Sequence, residues 1–121
     1  MSTSVRSASA AGATTLSESW GTITWLAGQA VGNAEGVTVG RVVIRAGEAN
    51  PRHLHHNGEE VLYLLSGRLR HWIGDESVIL EAGDTLTVPA DIAHYAVNIG
   101  DEDADMVVAY STGNRDFQPQ T

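Results

Sequence analysis

Apolar and polar residues alternate along much of this chain with a period of two. Over 37–45, Thr38, Gly40, Val42 and Ile44 share one face, and Val37, Val39, Arg41, Val43 and Arg45 share the other. Successive strand side chains point to opposite faces, so this run predicts a half-buried strand. Two arginines are costly inside a small domain unless paired, which places the first face inward. The same reading predicts strands over 21–26, 60–65, 68–73, 77–80, 84–88, 94–98 and 106–111. In 60–65, Glu60, Leu62 and Leu64 oppose Val61, Tyr63 and Leu65; in 68–73, Leu69, His71 and Ile73 share a face. Turn pairs punctuate these runs: Asn57-Gly58, Ser66-Gly67, Gly74-Asp75 and Ala82-Gly83. No helical period of any length is present. Many short strands with frequent glycine turns predict an all-β barrel or sandwich.

Composition narrows the class. At 121 residues the chain forms one domain, expected over 18–112. Residues 1–17 read as a flexible tail, or as an arm laid over a partner subunit, and 113–121 as a C-terminal tail. The seven basic residues are all arginine, and with 15 acidic residues the net charge is −8. Nucleic acid and anionic membrane both need a basic patch, so neither is expected as a partner. The absence of lysine removes Schiff-base chemistry, and the absence of cysteine removes thiol nucleophiles, disulfides and thiolate ligation. No run of 18 or more apolar residues exists, and residues 1–15 lack the apolar core of a signal peptide. A cysteine-free chain fits a reducing interior, so the expected location is cytoplasmic.

The candidate chemistry lies in two stretches. In the first, His53 and His55 share a strand face, His56 looks away, Asn57-Gly58 turns the chain, and Glu60 opens the next apolar run. In the second, a strand ends at Pro89 and a new one opens on His94. Three imidazoles and one carboxylate suit one divalent transition metal ion: Fe, Mn, Ni, Co, Cu or Zn. Calcium or magnesium would ask for oxygen ligands. A lone pair of alternating histidines is as often an ordinary edge-strand feature; the added carboxylate and third histidine raise the metal reading above it. Glu59 lies on the opposite face from Glu60 and is expected in solvent. His56 is expected at the surface and Tyr63 in packing.

These stretches resemble the paired motifs of the cupin superfamily. Gly47, His53, His55, Glu60 and Gly67 fill the fixed positions of G-x5-H-x-H-x(3,4)-E-x6-G. Gly83, Pro89, His94 and Asn98 fill those of G-x5-P-x-G-x2-H-x3-N, with Asp91 where the family usually has glycine. Asp tolerates the left-handed region better than most residues, so the turn is expected to survive. The resemblance implies a cupin-type jelly-roll β-barrel, a metal held by His53, His55, Glu60 and His94, and a homodimer. Asn98 is expected to hydrogen-bond backbone near the site.

The expected substrate pocket is lined by Val42, Ile44, Leu62, His71, Ile73, Met106, Val108 and Tyr110. Such a wall suits a small, partly apolar organic molecule rather than a polyphosphate or a sugar chain. The opposite phase of the last strand would turn Val107 and Ala109 inward instead. His71 is a candidate general acid or base; a hydrogen-bonded core histidine is the simpler expectation. Cupins with this ligand set include quercetin- and diketone-cleaving dioxygenases, oxalate-degrading enzymes and isomerases. The expected function is therefore a dioxygenase-type metalloenzyme. A redox-neutral isomerase or lyase, and a non-catalytic cupin that binds a small ligand, are the alternatives.

Overall fold

The computed structural model describes residues 5–120. Two antiparallel sheets carry the fold. In chain order the strands are β1 (Thr15–Ser17), β2 (Gly21–Ala27), β3 (Thr38–Ile44), β4 (His53–Leu54), β5 (Glu60–Ser66) and β6 (Arg68–Ile73). They continue with β7 (Glu76–Glu81), β8 (Thr85–Val88), β9 (His94–Asn98), β10 (Ala104–Tyr110) and β11 (Gln118–Pro119). One sheet has the order β1-β2-β3-β10-β5-β8 and the other β11-β4-β9-β6-β7. The two face one another as a jelly-roll sandwich. Among the described residues no ladder joins the sheets, so the expected barrel is a flattened, open one.

The alternation along each strand sets which face is buried. In β3, Thr38, Gly40, Val42 and Ile44 are buried; in β10, Ala104, Met106, Val108 and Tyr110 are. Val107 and Ala109 lie half-buried on the outer face. Arg41 and Arg45 point outward. Arg41 forms a two-point ion pair with Asp105, with Nε–Oδ1 at 2.8 Å, and Arg45 donates to the backbone carbonyls of Glu18 and Ser19.

The sandwich has two chemically different ends. One holds the densest core, where Ile44, Leu64, Leu69 and Met106 are sealed from solvent. The other holds the polar residues of β4, Glu60 at the start of β5, and His94 at the start of β9. Gly40 is required beside its cross-strand partner on β2: a Cβ there would sit 2.7 Å from the Trp25 ring. Asn98 bonds backbone, but at the core end. Its Nδ2 donates to the carbonyls of Ile44 (2.9 Å) and Glu102 (2.8 Å), and its Oδ1 accepts from the Gly100 amide. The expectation that it acts near the site is thus corrected. β9 runs away from His94, so a residue four positions on reaches the opposite end.

The segments expected as tails take part in the fold. β1 pairs with β2, with Thr15 opposite Thr24. Residues 113–120 fold back across the site end, where β11 pairs with β4. Asn57 ties this strap down: its Nδ2 donates to the Asn114 carbonyl (2.7 Å) and its Oδ1 accepts from the Asp116 amide (3.0 Å). Among the described residues no helix is long and apolar enough to cross a membrane.

Candidate metal centre

His53, His55, Glu60 and His94 converge. Each is buried, and one ligand atom from each lies within 4.8 Å of the others. Three strands and a loop bring them together. His53 is on β4 and faces His94 directly across the β4–β9 register. His55 follows β4, and Glu60 opens β5 opposite Tyr110 and Val88.

The imidazoles are oriented by the backbone. Nδ1 of His53 bonds the Pro51 carbonyl (2.7 Å), that of His55 the Asp116 carbonyl (2.6 Å) and that of His94 the Ile92 carbonyl (3.0 Å). A carbonyl only accepts, so each Nδ1 carries the proton and each Nε2 presents a lone pair. Outer-sphere hydrogen bonds of this kind orient histidine ligands and raise their basicity. Inward, Glu60 Oε1 lies 3.4 Å from His55 Nε2 and 3.2 Å from His94 Nε2. None of these three buried atoms has a hydrogen-bond partner. Buried polar atoms are rarely left unsatisfied, and leaving one so costs about 1–3 kcal/mol. Lone pairs and a carboxylate oxygen aimed at one point fit one divalent transition metal ion.

The electrostatics agree with that donor set. Burial opposes the Glu60 charge, but the adjacent His55 and His94 outweigh it and hold the carboxyl below the usual carboxylate range. Burial pushes His53 down to about 4, so at neutral pH its ring is uncharged and free to ligate. Burial also pushes His71 down to about 4. A depressed folded-state pKa means the unfolded chain binds protons first, so stability is lost as pH falls from 6.5 towards 4. At ~1.4 kcal/mol per unit, His53 and His71 together should lower the stability of the metal-free protein by about 2–5 kcal/mol between pH 7 and pH 4.5. Glu60 adds to the same trend at the acid end. Urea unfolding of the metal-free protein at the two pH values checks this; equal stability would refute it.

A cavity of about 360 Å³ opens onto the centre. Of the expected wall, Val42, Leu62, His71, Met106, Val108 and Tyr110 line it. Ile44 and Ile73 do not. Ile44 faces inward but pairs with Gly21 and Ala104 at the core end, and Ile73 is the half-buried last residue of β6. His71 is 2% exposed, its ring stacks 5.7 Å from that of His94, and its Nδ1 has no hydrogen-bond partner. His56 is exposed and lies outside the centre. Its Nδ1 sits 2.6 Å from Asp91 Oδ1, joining the two motifs at the rim.

Asp91 adopts φ 67°, and it alone among the described non-glycine residues has a positive φ. Its amide donates to the His55 carbonyl (2.8 Å). A β-branched residue tolerates this conformation poorly. Asp91→Val should cost about 1–2 kcal/mol, read by urea unfolding, whereas Asp91→Gly should fold at least as well in that turn.

Several wall residues were not foreseen. Trp20 comes from the bend between β1 and β2, Ile23 and Trp25 from β2, and Arg115 and Phe117 from the C-terminal strap. Phe117 stacks on His53 with centroids 4.7 Å apart. Alternation across β2 could have flagged Ile23 and Trp25. Nothing local flags the strap, because what it contributes to His55 is a backbone carbonyl.

Comparison with known proteins matches the cupin domain family model over residues 40–110. The chain belongs to the cupin domain family. Among curated relatives, this cupin is 38% identical over 69 residues to polyketide synthase CurC of Streptomyces cyaneus, covering 57% of this chain and 45% of that protein. It is 33% identical over 90 residues to germin-like protein 3-5 of Oryza sativa (68% and 40% covered), and 31% identical over 90 residues to oxalate oxidase GF-2.8 of Triticum aestivum (68% and 40%). The chain thus spans less than half the length of these relatives. In fold it is similar to an oxalate decarboxylase of Lactobacillus farciminis, with TM-score 0.83, 20% identity, and 88% of this chain and 33% of that one covered.

Proposed function

We propose that this cupin is a metal-dependent oxidoreductase of the dioxygenase type acting on a small, partly apolar organic substrate. The observation that carries the reading is the placement of His53, His55, Glu60 and His94 at the base of an aliphatic and aromatic cavity. A redox-active divalent ion there would supply Lewis acidity and electron transfer, with coordination positions left for small ligands. The chain's own groups set the conditions. The backbone carbonyls hold each imidazole in register, and Glu60 offsets the cation's charge. Burial raises the Tyr110 phenol well above its ordinary value, so it stays protonated and can donate. The apolar walls keep bulk water from the reacting atoms. The relatives' names, an oxalate oxidase and a polyketide synthase among them, support small organic substrates.

A second reading is supported by His71. Its buried, neutral ring carries a partnerless nitrogen beside His94, which suits a proton shuttle in a redox-neutral isomerase or lyase. Oxygen-electrode assays of iron-, manganese-, nickel- and copper-loaded protein with flavonols, diketones and catechols separate the two. Substrate-dependent oxygen uptake supports the oxygenase. Turnover that continues anaerobically and falls in His71→Gln supports the isomerase or lyase.

The proposal extends to assembly and location. Val61, Tyr63 and Leu65, each about 40% exposed on the outer face of β5, favour pairing of two copies, which sedimentation would read. A cytoplasmic location accords with the cysteine-free sequence; cell fractionation would read it.

A further inference from the structure

Arg115 carries the only fixed positive charge among the described residues that line the cavity. Its environment is aromatic. The guanidinium carbon lies 4.5 Å from the ring centroid of Trp25, 5.3 Å from that of Tyr110 and 5.5 Å from that of Phe117. It makes no ion pair or hydrogen bond with any described residue. Four other arginines behave differently. Arg41 and Arg68 pair with Asp105 and Glu81, Arg45 donates to two carbonyls, and Arg70 donates to Ser77. In a chain with 15 acidic and seven basic residues, an acid partner for a half-buried arginine is easily found. Arg115 has none, and it faces a cavity.

Stacking on rings uses the flat faces of a guanidinium and leaves its N–H groups in the plane. Those donors match a planar anion two at a time. The geometry points to an organic anion as the ligand of this cavity: a carboxylate or ionised enol on a flat apolar body. Arg115 holds the negative end, and the body lies among Trp25, Tyr110 and Phe117. The cavity's size favours such a body. About 360 Å³ is within the range of ordinary small-molecule pockets, and a two-carbon diacid would leave most of it empty. This inference rests on the reading that the cavity is the substrate site.

The test uses 1-naphthoate and its neutral isostere 1-naphthamide, titrated calorimetrically into zinc-loaded and metal-free protein. The acid should bind about tenfold or more tightly than the amide, as expected for hydrogen bonds to a charged group. R115Q should abolish that preference, read as the ratio of acid to amide affinity, and R115K, which keeps the charge, should retain part of it. Melting curves establish that both variants are folded. The inference is overturned if the wild type shows no preference, if R115Q keeps it, or if neither probe binds at millimolar concentration. A preference that needs zinc and survives in R115Q places the anion on the metal; the inference then fails and the metal reading stands. An Arg115-dependent preference in a protein that takes up no metal sinks the proposed function instead and leaves the inference intact.

Discussion

His94→Ala should strip the protein of its metal. Wild-type protein is expected to carry close to one equivalent of a divalent ion by elemental analysis, and the variant a small fraction of that. Loss of an outer-sphere partner alone costs about 10–100-fold in affinity, so loss of a ligand should cost at least the upper end of that range. His94 Nε2 lies 3.2 Å from Glu60 Oε1 and has no hydrogen-bond partner, so no other group among the described residues uses that lone pair. His53→Ala, His55→Ala and Glu60→Gln should behave alike. His56→Ala is the control. That ring is exposed and bonded to Asp91 at the rim, so metal content should not change. Full occupancy in His94→Ala, measured on a folded variant, would dissolve the proposed centre.

Gly113→Ala should damage both stability and metal affinity, though Gly113 lies outside the cluster. A Cβ there would stand 1.8 Å from the Glu35 carbonyl oxygen and 2.5 Å from its carbon. Both are backbone atoms, so no side chain can turn aside, and the strap must move. Overpacking of this kind costs about 1–3 kcal/mol. The strap begins here, where the Gly113 carbonyl accepts from the Gln29 amide at 2.9 Å. Three residues on, the Asp116 carbonyl orients His55 at 2.6 Å. Displacing it should weaken metal binding about 10–100-fold, the range for an outer-sphere partner. Urea unfolding and competition with a chelator read the two effects. Unchanged metal affinity in a destabilised variant would show that the His55 orientation does not depend on the strap.

Much of the fold was legible because its signals are local. The inward face of β3 follows from alternation, since a strand's period of two leaves only two phases and its outward arginines choose between them. In β5 and β10 both faces are apolar, and the resemblance to cupins, not alternation, favoured the phase that the structure has. The donor set was legible for a similar reason. Metal chemistry needs particular residue types, and His53, His55, Glu60 and His94 stand at the spacings of the paired cupin motifs. Misplacements arose where depth along a strand mattered. Ile44 and Asn98 have the right face but sit at the core end, and alternation says nothing about which end of a strand approaches a site.

By itself the sequence determined the alternation of the strands, the phase of β3, the all-β class and the residue types able to hold a metal ion. These depend on side-chain chemistry and on neighbours one to four residues away. Only the tertiary structure decided that the C-terminal segment is a wall rather than a tail. Only it decided that Arg115 stands among three rings with no ion pair to any described residue, and that backbone carbonyls of Pro51, Ile92 and Asp116 aim the imidazoles. Every residue carries the same carbonyl, so its placement is set by long-range packing and leaves no mark in the order of side chains.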